Sequence, residues 1–182
     1  MLILVSGGSG SGKSEFAENL VLKLHKAPCL YIATMVPFDE ECHERIARHR
    51  KMRASKGFDT LECYLDLKSR DVTGYGTVLL ECMSNLTANE IYQEGGAGSG
   101  CVEEILTGIR RVYSQCTHLI IVTNEIFSDG IEYDKETKRY QACLGRINQK
   151  IAALADLVVE VVYSVPVVYK GSLDGIEKGS FR

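Results

Sequence analysis

Five short runs of the chain are almost continuously apolar: LILVS (Leu2–Ser6), CLYIAT (Cys29–Thr34), TVLLEC (Thr77–Cys82), HLIIVT (His118–Thr123) and LVVEVV (Leu157–Val162). Unbroken runs of that length, without polar alternation, predict strands buried on both faces of a parallel sheet. The intervening segments change period. SEFAENLVLKLHK carries Phe16, Leu20, Val21 and Leu24 at three-to-four spacing. VEEILTGIRRVYSQC does the same with Val102, Ile105, Leu106, Ile109 and Val112, and KRYQACLGRINQKIAALA with Tyr140, Leu144, Ile147, Ile151 and Leu154. Apolar stripes at this spacing predict helices lying on a core. Strands alternating with helices predict an open α/β sheet with helices on both faces. EGGAGSG (Glu94–Gly100) is expected as a loop between two helices, and the polar, glycine-spaced residues after about 171 as a loose tail. No internal repeat or linker divides the 182 residues, so one domain spanning 1–182 is expected.

Composition narrows the class. The net charge of −3 argues against a general nucleic-acid binder. No apolar run reaches membrane-spanning length, and MLILV runs straight into a glycine loop, as a first strand would and a signal peptide would not. Seven cysteines are scattered without a CxxC pair. Thiols in apolar runs act as small hydrophobes, so neither a disulfide framework nor a zinc site is expected, and the compartment expected is a reducing cytoplasm.

The first strand breaks into GGSGSGKS (Gly7–Ser14), which fits G-x-x-x-x-G-K-[ST] with Gly7, Gly12, Lys13 and Ser14 in the fixed places. Bare backbone at Gly7, Gly8, Ser9, Gly10, Ser11 and Gly12 lets successive N–H groups turn toward a phosphate, and the following helix aims its positive dipole end at the same point. Lys13 supplies a charge for the β- and γ-phosphates, and the Ser14 hydroxyl is placed to ligate Mg²⁺. The magnesium also needs an acid at the end of another strand. Glu81, closing VLLE, is the candidate. A chance flexible turn does not account for a glycine cluster set between a buried strand and an amphipathic helix.

DEECHERIARHRKMRASKG (Asp39–Gly57) is acidic at its start and basic at its end, which complements a helix dipole. Arg45, His49 and Arg53 fall on one i, i+4 row. Flanking guanidiniums would hold the His49 ring neutral and nucleophilic, and could grip phosphates. A solvated, salt-bridged face with an idle histidine is the other reading of the same residues.

Along almost the whole chain these segments resemble a known family. The resemblance is carried by GGSGSGKS, LYIATM (Leu30–Met35), RIARHRKMR (Arg45–Arg53), FDTLEC (Phe58–Cys63), VLLECMSNLTANE (Val78–Glu90), IIVTNE (Ile120–Glu125) and LGRINQKIAALADLV (Leu144–Val158). Together they resemble the bifunctional adenosylcobinamide kinase/adenosylcobinamide-phosphate guanylyltransferase of cobalamin biosynthesis. The resemblance implies a P-loop NTPase-type three-layer α/β/α fold, with a mostly parallel central sheet and a C-terminal antiparallel strand. It also implies two reactions. A nucleoside triphosphate, ATP or GTP, phosphorylates adenosylcobinamide. GMP from GTP then passes through a histidine to adenosylcobinamide phosphate. Members often carry a His-His pair where this chain has Arg48-His49. The covalent histidine is assigned to His49, which keeps the arginine row.

The family's guanosine-nucleotide contacts fall on Gly7–Ser14, on Ala33, Thr34 and Met35, on Arg50, Lys51, Met52 and Arg53, and on Glu62 and Glu81. Glu62 could accept hydrogen bonds from the N1 and N2 donors of guanine. After VTNE the family tends to a glycine-rich stretch with proline, whereas this chain has IFSDGIEYD (Ile126–Asp134). The resemblance further implies a cytoplasmic homo-oligomer, a trimer, without nucleic acid or membrane span. The competing expectations are a P-loop kinase for another small metabolite, with the histidine helix as a phosphate clamp, and a nucleotide-gated assembly protein.

Overall fold

In the computed structural model, residues 1–24, 26–53, 56–128, 130 and 132–177 are described. The side chains of Arg45, Met52 and Arg53 lie outside them, so the expected Arg45–His49–Arg53 row does too. In chain order the elements are β1 (Leu2–Ser6), α1 (Lys13–Leu24), β2 (Cys29–Ala33), α2 (Glu40–Arg53), β3 (Phe58–Glu62), β4 (Thr77–Glu81) and α3 (Met83–Tyr92). They continue with α4 (Cys101–Gln115), β5 (His118–Val122), α5 (Lys135–Leu154), β6 (Leu157–Val162), β7 (Val165–Lys170) and α6 (Asp174–Glu177). The strands form one sheet in the order β3-β2-β4-β5-β1-β6-β7. Every neighbouring pair is parallel except β6 and β7.

The apolar runs are explained by cover on both faces. Leu2, Leu4, Leu30, Ile32, Val78, Leu80, Leu119 and Ile121 pack against Met83 and Leu86 of α3, Ile105 and Ile109 of α4, and Leu144, Ile147 and Ile151 of α5. The alternate residues Ile3, Val5, Tyr31, Leu79, Ile120 and Val122 face Ala17, Leu20 and Val21 of α1. A side chain at every strand position is therefore buried, which removes polar alternation. The two outer strands lack this cover and read differently. β3 keeps Phe58 and Leu61 partly buried and exposes Asp59, Thr60 and Glu62, and β7 leaves Val165, Val167 and Tyr169 exposed. The chain after β7, expected as a loose tail, continues into α6, where Ile176 is buried against the α1 face.

Because β1, β2, β4 and β5 run in parallel, their carboxyl ends lie along one edge of the sheet, where ligands of open α/β folds bind. That edge receives the glycine loop, Ala33, Glu81 and Thr123 together. At the opposite edge, burial is the first cause that lowers the proton affinity of His118, followed by the positive charges of the chain's first residue and Lys26. The folded protein thus holds this imidazole neutral more readily than the unfolded chain does. Its contribution to stability is full above about pH 6.5 and is lost as pH falls through the lowered folded value. His118→Gln is expected to flatten the fall in Tm between neutral and mildly acidic pH, as followed by circular dichroism.

Candidate active site

The glycine loop leaves β1 and turns tightly enough that no side chain fits at two of its positions. A Cβ on Gly7 would lie 2.5 Å from Ser11 Oγ and 2.6 Å from the Val161 carbonyl oxygen. Gly12 has a φ of 89°, and its Cβ would lie 2.6 Å from Ser164 Oγ. The Ser164 N–H also donates to the Ser11 carbonyl at 2.8 Å, so the turn between β6 and β7 braces the loop. Gly12→Ala is expected to cost about 1–3 kcal/mol, since it combines an unfavourable backbone region with a clash. A lowered urea midpoint at unchanged slope would register it.

Lys13 begins α1 and is 8% exposed. Its Nζ donates to the Gly8 carbonyl at 2.9 Å, so the ammonium folds back over the loop. One residue on, the Ser14 hydroxyl donates to Glu81 Oε1 at the end of β4. Two residues far apart in the sequence, assigned separately to one metal, are thus in direct contact. A hydroxyl and a carboxylate oxygen are the hard donors Mg²⁺ prefers, so the pair fits that ion.

Helix α2 starts after Asp39, whose carboxylate accepts from the Cys42 N–H at 2.8 Å and is held below the usual carboxylate range by that bond. The helix lies beside the cleft with no described side chain fully buried. His49 is 22% exposed, and its Nδ1 lies 3.9 Å from Glu81 Oε1. The sequence suggested guanidinium neighbours for this ring; the structure adds a carboxylate. Glu18 joins them. One oxygen each from Glu18 and Glu81 and one ring nitrogen of His49 lie within 4.8 Å of one another. Glu18 was not singled out in the sequence, although it stands four residues after Ser14 and so on the same face of α1.

A cleft of about 510 Å³ runs from the loop to the end of β3. Residues 9–14 of the loop, Ala33, Met35, Arg48, His49, Arg50, Glu62 and Glu81 line it. Arg48, the neighbour weighed against His49, is exposed on the rim. At the far end Arg50 Nη2 donates to Glu62 Oε1 and the Tyr64 hydroxyl to Glu62 Oε2, both at 2.8 Å. Both Glu62 oxygens are therefore engaged, and Tyr64 belongs to the site although the sequence did not single it out. Burial, followed by the Glu62 contact, pushes the Tyr64 phenol up, so it stays a donor. Tyr31, Thr60, Asn85 and Asn124 are further lining residues, each within a segment that carries the resemblance but not singled out there.

Thr34 and Lys51 fall outside the lining. Thr34 is completely buried, and its hydroxyl donates to the Cys82 carbonyl at 2.8 Å and accepts from the Cys82 N–H at 2.7 Å. It ties β2 to β4 from inside. Lys51 points to solvent on the outer side of α2.

The chain is similar to known proteins over nearly its full length. The family described as cobinamide kinase / cobinamide phosphate guanyltransferase matches residues 3–168. The bifunctional adenosylcobalamin biosynthesis protein CobU of Salmonella typhimurium is 31% identical over 185 residues, covering 93% of this chain and all of that protein. The corresponding CobP of Pseudomonas aeruginosa is 30% identical, covering 92% and 96%. Among solved structures, the flagellar accessory protein FlaH of Methanocaldococcus jannaschii has a TM-score of 0.51 at 11% identity, covering 94% of this chain and 79% of that one. A KaiC-like protein of Pyrococcus horikoshii has a TM-score of 0.50 at 12% identity, covering 87% and 71%. At such identity these structures establish the fold alone, a P-loop NTPase-type sheet with one antiparallel strand at its end. With the glycine loop, the histidine helix and the strand-end acid gathered in one cleft, the chain belongs to the cobinamide kinase / cobinamide phosphate guanyltransferase family.

Proposed function

We propose that the protein phosphorylates the aminopropanol hydroxyl of adenosylcobinamide and then transfers GMP to the resulting phosphate through His49. The observation that carries the second half is the contact of His49 with Glu81, the residue that also accepts from Ser14. It brings the histidine helix against the glycine loop, as a ring that must meet a bound triphosphate requires.

In the kinase step the substrate hydroxyl oxygen attacks the γ-phosphorus of ATP or GTP, and the bond from that phosphorus to the β–γ bridging oxygen breaks. The loop N–H groups and Lys13 hold the phosphate oxygens as charge builds on them. In the transfer step a ring nitrogen of His49 attacks the α-phosphorus of GTP, a P–N bond forms, and pyrophosphate leaves. An oxygen of cobinamide phosphate then attacks the same phosphorus and the P–N bond breaks, giving adenosylcobinamide-GDP. Ser14 and Glu81 would hold Mg²⁺, which when bound neutralises charge on the phosphates. Glu62, set by Arg50 and Tyr64, would face the guanine, with Ala33 and Met35 beside it. The same family likeness supports one catalytic domain acting in a cytoplasmic homo-oligomer, a trimer. Among the described residues no helix is long and apolar enough to cross a membrane.

The test is intact-protein mass spectrometry after incubation with GTP and Mg²⁺, followed by peptide mapping. A GMP adduct on the peptide containing His49 is expected, and its loss on adding adenosylcobinamide phosphate. The second reading is a kinase without a covalent step. It is favoured by the place of the His49–Glu81 contact, beside Ser14 and so at the metal end of the loop. In that case no adduct forms under any condition while phosphorylation proceeds.

A further inference from the structure

Helix α2 carries His49 yet has no fully buried side chain among those described, so apolar packing does little to fix its distance from the loop. Its described anchors are charged. Arg50 meets Glu62 at an exposed corner, with the two side chains 61% and 48% exposed, where an ion pair adds little. A second anchor lies just past the helix and differs in kind. Lys56 Nζ is 2.6 Å from Glu18 Oε2, with Lys56 18% exposed and Glu18 completely buried. The other oxygen of Glu18, Oε1, is also buried and has no hydrogen-bond partner among the described residues. A buried carboxylate with one satisfied oxygen is costly in a helix face that could carry an apolar residue. Its location gives it a use, since Glu18 stands within 4.8 Å of the His49 ring.

We propose that Glu18, anchored by Lys56, is a positioning residue that holds the His49 imidazole toward the phosphate cradle, an assignment that rests on His49 being the GMP acceptor. The two acids divide the work. Glu81 is engaged with Ser14 at the metal end. Glu18, whose charge Lys56 already balances, is placed to accept through Oε1 from one ring N–H when the ring closes on it. A donor bond at one ring nitrogen fixes the tautomer and leaves the lone pair of the other nitrogen for phosphorus. Because Lys56 follows α2 and Glu18 lies on α1, the same ion pair sets the spacing between the histidine helix and the helix that starts at Lys13.

The experiment compares Glu18→Gln, Lys56→Met and Lys56→Arg with the parent protein. For each preparation two rates are read: label incorporation from α-labelled GTP without corrinoid, and phosphorylation of adenosylcobinamide. In Glu18→Gln and Lys56→Met the ratio of labelling to kinase rate is expected to fall about 10²-fold, the cost of a misplaced reacting group. The KM for GTP should stay near the parent value, and Lys56→Arg should recover most of the ratio. Taking the ratio cancels any unfolded fraction. An unchanged ratio in both variants overturns the positioning role. So does a parallel fall of both rates in step with Tm, which marks a merely structural ion pair. Label persisting in His49→Ala overturns the underlying transferase assignment instead. Label lost in His49→Ala with normal ratios in Glu18→Gln and Lys56→Met overturns the positioning role alone.

Discussion

His49→Ala is expected to lower transfer of GMP from α-labelled GTP to the protein by about 10⁴-fold or more, because no second group can replace a covalent nucleophile. The kinase rate should fall far less, since its reacting oxygen comes from the substrate. The companion variant Arg48→Ala separates the two neighbours. They point about 100° apart on a helix; His49 turns toward Glu81, while Arg48 is exposed at the cleft rim. Label retained in Arg48→Ala and lost in His49→Ala places the acceptor at 49. Equal labelling in all three proteins would remove the histidine from the chemistry, and phosphorylation would remain as the activity of the cleft. Gel autoradiography after base treatment, which spares a phosphorus–nitrogen bond to histidine, gives the readout.

Lys13→Ala carries the second large effect and should strike both halves together. The side chain is nearly buried over the loop and already donates to the Gly8 carbonyl. A triphosphate offers that ammonium a stronger acceptor in the same place. Removing a preorganised donor of this kind costs about 10²–10³-fold in kcat, and the loss is expected for phosphoryl transfer and histidine labelling alike. Lys13→Arg should not rescue, because a planar guanidinium cannot fold back into a space shaped around a compact ammonium. Steady-state kinetics of the two reactions decide the point. A rise in KM alone, with kcat intact in both, would mean that Lys13 holds the ground state and the transition state equally.

Sequence patterns reveal what depends on neighbours along the chain and hide what depends on neighbours across it. β1, β2, β4 and β5 are legible because burial on two faces demands apolar residues at successive positions. β3, at one edge, faces that demand on one side at most, so FDTLE lacks the apolar continuity of the central strands, whereas VPVVYK at the other edge is apolar yet largely exposed. The glycine motif is legible since its spacing follows from the backbone turn itself. The meeting of Ser14 with Glu81 follows from the crossover that sets the ends of β1 and β4 along one edge, although each residue could be proposed separately. Glu18 was missed for that reason, while Tyr64 was missed although its partner is two residues before it. Lys56 lies beyond a helix from Glu18, whose i, i+4 relation to Ser14 is the one local sign, and Glu62 meets Tyr64 at an exposed corner. Thr34 sits at a strand end like its neighbours, yet it points inward, and strand polarity alone does not distinguish the two directions.

The brace between the glycine loop and the β6–β7 turn has a consequence for how the protein comes into being. Ser164 reaches Ser11 from the far end of the polypeptide. A ribosome therefore releases the glycine loop well before the prop that steadies it. A truncated product ending after α5 would retain the glycine motif and His49, yet it would lack the turn that braces the loop.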